Sequence, residues 1–239
     1  MIPSARVGLL CGICVAAVVQ LPLAPASGSV SPSNELKAVI AAADSQHSVS
    51  VASVAASGST RITQTGTVGP SSGTQRIDYS VGGHSHVVTV LLASDVVYVN
   101  GDATVLTAYM GLKSSQAQKI AGKWFKILSN VPDYQAVAAG LTITSTMSEI
   151  NMRGSITSLA NRKLSGASVI ALAGRTVASD LAPSVQETLY ASARGRPLPI
   201  EVTQTQSGHT DTIAFTSWNT AVHVTVPASA LLFSSTWLQ

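Results

Sequence analysis

The sequence is poor in the residues that announce most chemistries. Only 10% of its 239 residues are charged and 5% are aromatic, and it holds two cysteines, Cys11 and Cys14. With 14 basic against 11 acidic side chains, the formal net charge of +3 reflects scarcity of charge and not a cationic surface. Together with the few aromatics, this argues against the basic, stacking surface of a nucleic-acid binder. Among catalytic signatures there is no H-E-x-x-H, no phosphate-binding loop and no paired-cysteine metal site, and Gly69-Pro70-Ser71-Ser72-Gly73, which spells G-x-S-x-G, reads as a turn between two strands and not as a strand-to-helix nucleophile elbow, so the chain reads as non-catalytic, without cofactor or metal. His84 and His86 fall on one strand face but bring no third ligand, and are read as hairpin surface. His209 beside Asp211 is read as a turn. Serines are too abundant for pairing one with His47 or His223 to carry meaning.

One long apolar run is present, Val7 to Val19, preceded by Arg6 and followed by Ala24-Pro25-Ala26. That is the layout of a secretory leader, with cleavage expected after Ala26. Gln20 and Pro22 interrupt the run short of the ~20 residues that span a bilayer. Both cysteines lie in this leader, so the mature chain has neither a disulfide nor a thiol nucleophile. Neither cysteine has a lipobox before it: Cys11 follows Gly8-Leu9-Leu10 after almost no apolar segment, and Cys14 follows Cys11-Gly12-Ile13. The expectation is an exported protein, secreted or in the cell envelope, that is not lipid-anchored. Residues 27–33 read as a polar linker and 34–239 as one domain.

What the mature chain has in quantity is apolar and small polar residues. The whole sequence is 46% hydrophobic, with a mean hydropathy of +0.33. So much apolar surface with so little charge is consistent with a ligand cavity as well as a core. Asn34 is expected to cap a helix over Glu35 to Gln46, with Leu36, Val39 and Ile40 at helical spacing. Short β-branched runs then alternate with Gly, Pro and Ser, predicting strands over 47–56, 60–68, 74–81, 85–93 and 95–99 in an antiparallel meander. In Thr74 to Val81, Ile77, Tyr79 and Val81 share one face and Arg76, Asp78 and Ser80 the other. In Ser85 to Ala93 both faces are apolar, which requires cover on both sides.

The period changes after Gly101. Residues 103–112 and 114–122 read as helices, Lys123 to Ile127 as a strand, and 133–141 and 143–150 as short helices. Strands resume from Ile156 through 158–174, 187–193, 199–206, 211–218 and 220–226, the last ended by Pro227. In AGKWFKI, an extended backbone separates Phe125 and Ile127 from Trp124 and Lys126, so the aromatics form no common stacking platform.

Tyr98-Val99-Asn100-Gly101-Asp102, Gly122-Lys123-Trp124, and Leu189-Tyr190 through Gly195, Pro197, Leu198 and Pro199, taken in this order, resemble the actinobacterial LppX/LprG-type lipoprotein family, over roughly Glu35 to Pro227. The resemblance implies an α+β LolA-like fold: a strongly curved antiparallel sheet, an open half-barrel, with helices across its concave side. It further implies a hydrophobic cavity that takes a lipid, glycolipid or acyl chain, and contact with a membrane or lipoprotein donor or acceptor. The lack of a lipobox departs from the lipoprotein branch. The candidate cavity residues are Val88, Val90, Leu92, Val97, Val99, Ile200, Val202, Ile213 and Phe215, taken from strand faces that would equally suit a closed core, together with Trp124. Trp124 is read as a seal on the core in preference to a position at the mouth, with Lys123 and Lys126 near a head group. A monomer is expected. The competing reading is an envelope interaction or adhesion module with a closed core and no lipid.

Overall fold

The computed structural model describes residues 30–160, 162–176, 184–206 and 209–238. The expected leader and both cysteines lie outside these residues. Helix α1 (Pro32–Asp44) starts inside the stretch read as a linker. Its cap is Ser31, whose Oγ accepts the Asn34 N–H at 3.3 Å, and Pro32 occupies the first turn, where a missing N–H costs nothing. Asn34, expected as the cap, is therefore a first-turn residue. The helix buries Val39 and Ala43, with Leu36 and Ile40 packed alongside.

The meander follows as β1 (Val49–Ser57), β2 (Thr60–Val68), β3 (Gly73–Val81), β4 (His84–Ala93) and β5 (Val96–Gly101). Then come α2 (Ala103–Met110), α3 (Ser114–Ile120), β6 (Phe125–Leu128), α4 (Tyr134–Ala138) and α5 (Ile143–Met147). The second half is β7 (Met152–Ser158), β8 (Lys163–Leu164), β9 (Ala167–Thr176), β10 (Gln186–Ser192), β11 (Pro199–Gln206) and β12 (His209–Thr216), closed by β13 (Leu231–Leu232) and a 3-10 turn, Ser235–Trp237.

These strands form one unclosed 13-stranded sheet in the order β13-β6-β5-β4-β3-β2-β1-β12-β11-β10-β9-β7, with β8 on β9. Among the described strands, β13 with β6 is the one parallel pair, and an isolated parallel bridge joins Gly69 to Thr142. The two halves of the chain join at the centre, where β1 pairs with β12 and Val51 stands opposite Phe215. The α+β half-barrel with helices on one face is thus the observed architecture.

The inner face carries two hydrophobic clusters. One joins β3 to β6 with α2, α3 and α4, and includes Val88, Val90, Leu106, Met110, Phe125 and Ile127. The other joins β1, β2 and β9 to β12 with α1 and α5, and includes Val39, Val51, Met147, Leu172, Leu189 and Phe215. The C-terminal residues complete the first: Phe233 stacks on Phe125 at 6.1 Å, and Trp237 meets both edge-on at 6.0 and 5.6 Å.

Residues 220–226, expected as a strand, join no sheet. They alternate in exposure as an extended chain does, with Val222 and Val224 half-buried between exposed Ala221, His223 and Thr225, but form no strand ladder. The reason lies just upstream. Ser217 and Asn219 take left-handed backbone angles, and Asn219 ties this turn to the start of β1. Its Oδ1 accepts the His47 N–H at 2.8 Å, and its Nδ2 donates to Gln46 Oε1 at 2.9 Å. The chain is thereby led away from the β1·β12 ladder toward β6.

The helical layer is fixed to the sheet at the β2–β3 turn. Gly69 O accepts the Ile143 N–H at 2.9 Å, and a Cβ on Gly73 would collide with the Leu141 carbonyl. The α4–α5 connection can lie this close only because position 73 has no side chain. Gly73→Ala is expected to destabilise the protein by about 1–3 kcal/mol, measured by urea unfolding, and to raise amide exchange over 139–147 more than over β9 and β10.

Candidate functional site

The two clusters do not merge. Between them lies a cavity of about 270 Å³, just below the ~300–1,000 Å³ common for small-molecule sites. Its floor is the inner face of the central strands: Val51 and Ser53 on β1, Gln64 on β2, Gln75 and Ile77 on β3, Ile213 and Phe215 on β12. Its roof comes from α2 through Tyr109 and Met110, and from α4 and the turn after it through Ala136, Val137, Ala139 and Gly140. Thr146, Glu149 and Ile150 close one side.

Of the ten candidate residues, Ile213 and Phe215 line this cavity. Val88, Val90, Leu92, Val97 and Val99 lie in the closed core under α2 to α4, each at 3% exposure or less. Val202 is buried in the other cluster. Ile200 shares alternation parity with Val202 but joins neither cluster. The β10·β11 register shifts between Tyr190 and Ala191, so that Pro199 and not Ile200 stands opposite buried Ala191. Such a bulge reverses the alternation beyond it. Trp124 belongs to neither cluster and does not seal the core. It precedes β6 on the side of half-buried Lys126, opposite buried Phe125 and Ile127, and its carbonyl accepts the Leu231 N–H at 2.9 Å.

The residues that strand-face reasoning missed are the polar ones of the floor. Ser53 stands directly opposite Gln64, and Gln75 faces Gly66 one diagonal step away. The signal was present in the alternation, since Gln75 shares a face with Ile77 and Tyr79, and Gln64 with Ile62. Polar residues at inward positions break the binary pattern. In the roof, burial pushes the Tyr109 phenol up to about 12, so it stays neutral at physiological pH.

The other marked residues have structural partners. Asp102 caps α2: its Oδ1 accepts the Val105 N–H at 3.0 Å, and its Oδ2 accepts the Val87 N–H and lies 3.2 Å from His86 Nδ1. Burial raises its pKa, but these N–H groups and His86 outweigh that and hold it below the usual carboxylate range. Trp218 stacks on Phe215 at 6.4 Å and donates to the Pro199 carbonyl at 3.3 Å. No group of three or more metal-ligating side chains gathers among the described residues.

No protein-family model matches the chain, and no curated protein matches it. LprF from Mycobacterium bovis superposes with a TM-score of 0.52 at 12% identity, over 83% of this chain and 97% of its own. The Mycobacterium tuberculosis lipoprotein LppX superposes with a TM-score of 0.50 at 13% identity, over 81% of this chain and 98% of its own. The chain shares the LolA-like fold of these two proteins. At this identity the likeness extends to the fold of these proteins.

Within this sheet, among the described residues, one carboxylate is fully buried. Glu187 on β10 has no exposed surface. Its Oε2 accepts from Gln204 Nε2 at 2.7 Å, while its Oε1 has no partner. Burial pushes its pKa up, the Gln204 hydrogen bond and the nearby Asn151 backbone N–H pull it back, and Glu149 raises it further, leaving a net increase. The folded chain therefore binds more protons than the unfolded chain from the ordinary Glu pKa near 4.3 up to the raised folded value. Stability is lost as pH rises through that window. Glu187→Gln removes the dependence and keeps the acceptor for Gln204. It is expected to match the wild type near pH 4 and exceed it by about 1–3 kcal/mol at pH 7 to 8, by urea unfolding across pH.

Proposed function

We propose that the chain binds a lipid, glycolipid or acyl chain in the cavity between its two cores, as an exported, non-catalytic carrier of the cell envelope. The observation that carries the reading is the cavity itself: a mainly apolar space held at the centre of a half-barrel, where a single merged core would have left none. Each methylene withdrawn from water gains about 0.8 kcal/mol, so ten give about 8 kcal/mol, the scale of a micromolar dissociation constant. No catalytic group is needed for that. Loading and delivery would involve a membrane or a lipoprotein as donor or acceptor. No helix among the described residues is long and apolar enough to cross a membrane.

The test is organic extraction of protein purified from an actinobacterial host, followed by mass spectrometry, with uptake of Nile red as a second measure. Co-purifying lipid and saturable dye uptake are expected. Absence of both would favour the envelope interaction module. Ile213→Trp, which fills the cavity from the floor, is expected to reduce dye uptake at least tenfold while circular dichroism stays unchanged. Val90→Trp, in the closed core, is expected to lower Tm instead.

A further inference from the structure

The cavity has one polar wall, and its chemistry restricts what enters. Gln75 is 6% exposed, lies in the floor, and its Oε1 has no hydrogen-bond partner. An unmet acceptor in a buried site carries a desolvation cost that a donor from a bound molecule would relieve. The amide lies under the turn after α4, with Nε2 3.5 Å from where a Cβ on Gly140 would stand. Gly66, directly opposite on β2, has no side chain to crowd it, because a Cβ there would strike the Thr74 carbonyl. Presenting the oxygen to the cavity takes a rotation about the terminal torsion of Gln75, a broad and soft coordinate.

The rest of the polar lining is acceptor-rich or neutral. Ser53, Gln64, Thr146 and the Tyr109 phenol carry no charge, and Glu149 contributes a carboxylate. No Lys, Arg or His lines the cavity among the described residues. A carboxylate or phosphate brought here would find no counter-charge in the lining among the described residues, which is unfavourable in a low-dielectric site.

Building on the carrier reading, we propose that Gln75 Oε1 accepts a hydrogen bond from a hydroxyl-bearing, uncharged amphiphile, and that the cavity discriminates against anionic lipids. The ligand class is then a hydroxylated acyl ester, with its chain along Ile77, Met110, Val137 and Phe215 and its hydroxyl at Gln75.

Titration of the delipidated full chain with monoolein, methyl oleate and oleate at pH 8, followed by calorimetry, separates these ideas. Methyl oleate shares the chain but has no donor, and oleate is ionised. Monoolein is expected to bind about tenfold tighter than methyl oleate, and oleate weakest. Gln75→Leu is expected to abolish the preference for monoolein while leaving methyl oleate affinity within about twofold, which also shows the cavity intact. Equal binding of all three by the wild type overturns the proposal but leaves the carrier reading standing, as does a monoolein preference unchanged in Gln75→Leu. Binding of none overturns both. Should Gln75→Leu fail to fold, the wild-type ranking alone decides.

Discussion

Backbone rests on backbone where the Leu141 carbonyl sits against Gly73. Across this contact the short helices α4 and α5 are held at a fixed height over the sheet, with the Ile143 N–H bonded to Gly69 O beside it. Helices of five residues have no stability of their own. Their place is set by this docking and by the Thr142 cap of α5, where Thr142 Oγ1 accepts the Ser145 N–H at 3.1 Å. Because the roof is pinned at one end of β2 and β3, it cannot sink onto the middle of those strands, and the space over Gln64, Gln75 and Ile77 persists.

The sheet itself divides in the same region. Strands β3 to β6 build their core against α2 to α4, and β9 to β12 build theirs against α1 and α5. The central strands β1 and β2 lie at the seam. A continuous core would require large apolar side chains at inward positions there, and the chain instead places Ser53, Gln64, Gly66 and Gln75 along it. The fold and its cavity thus share one cause: polar and small residues on the inner face of the strands where two half-cores meet.

Much of the architecture was legible in the sequence. The boundaries of β2 follow directly from alternation between turn residues, and those of β3 to β5 come within a few positions. The failures each have a local physical origin. At residues 220–226 alternation was read correctly but pairing was not, because nothing in the pattern reveals that Asn219 steers the chain off the ladder. At Ile200 a bulge inverted the parity. For the cavity, periodicity identified the inward face but not which inward residues lie under helix and which under open space; that depends on where the roof is pinned, a contact between Gly73 and Leu141, 68 positions apart in sequence by subtraction of their numbers. Only the polar inward residues carried a signal, and an apolar-first reading passes over them.

The C-terminal segment has a kinetic meaning. The middle of the sheet pairs β1 with β12, and one edge is completed when Leu231 and Leu232 join β6 and Phe233 and Trp237 cover Phe125. Neither the central junction nor that edge forms until the last part of the polypeptide is available. Contacts so remote in sequence slow folding. A nascent chain of this kind can pair β1 through β5 as they emerge but can complete neither the centre of the sheet nor that edge until its last segments are made.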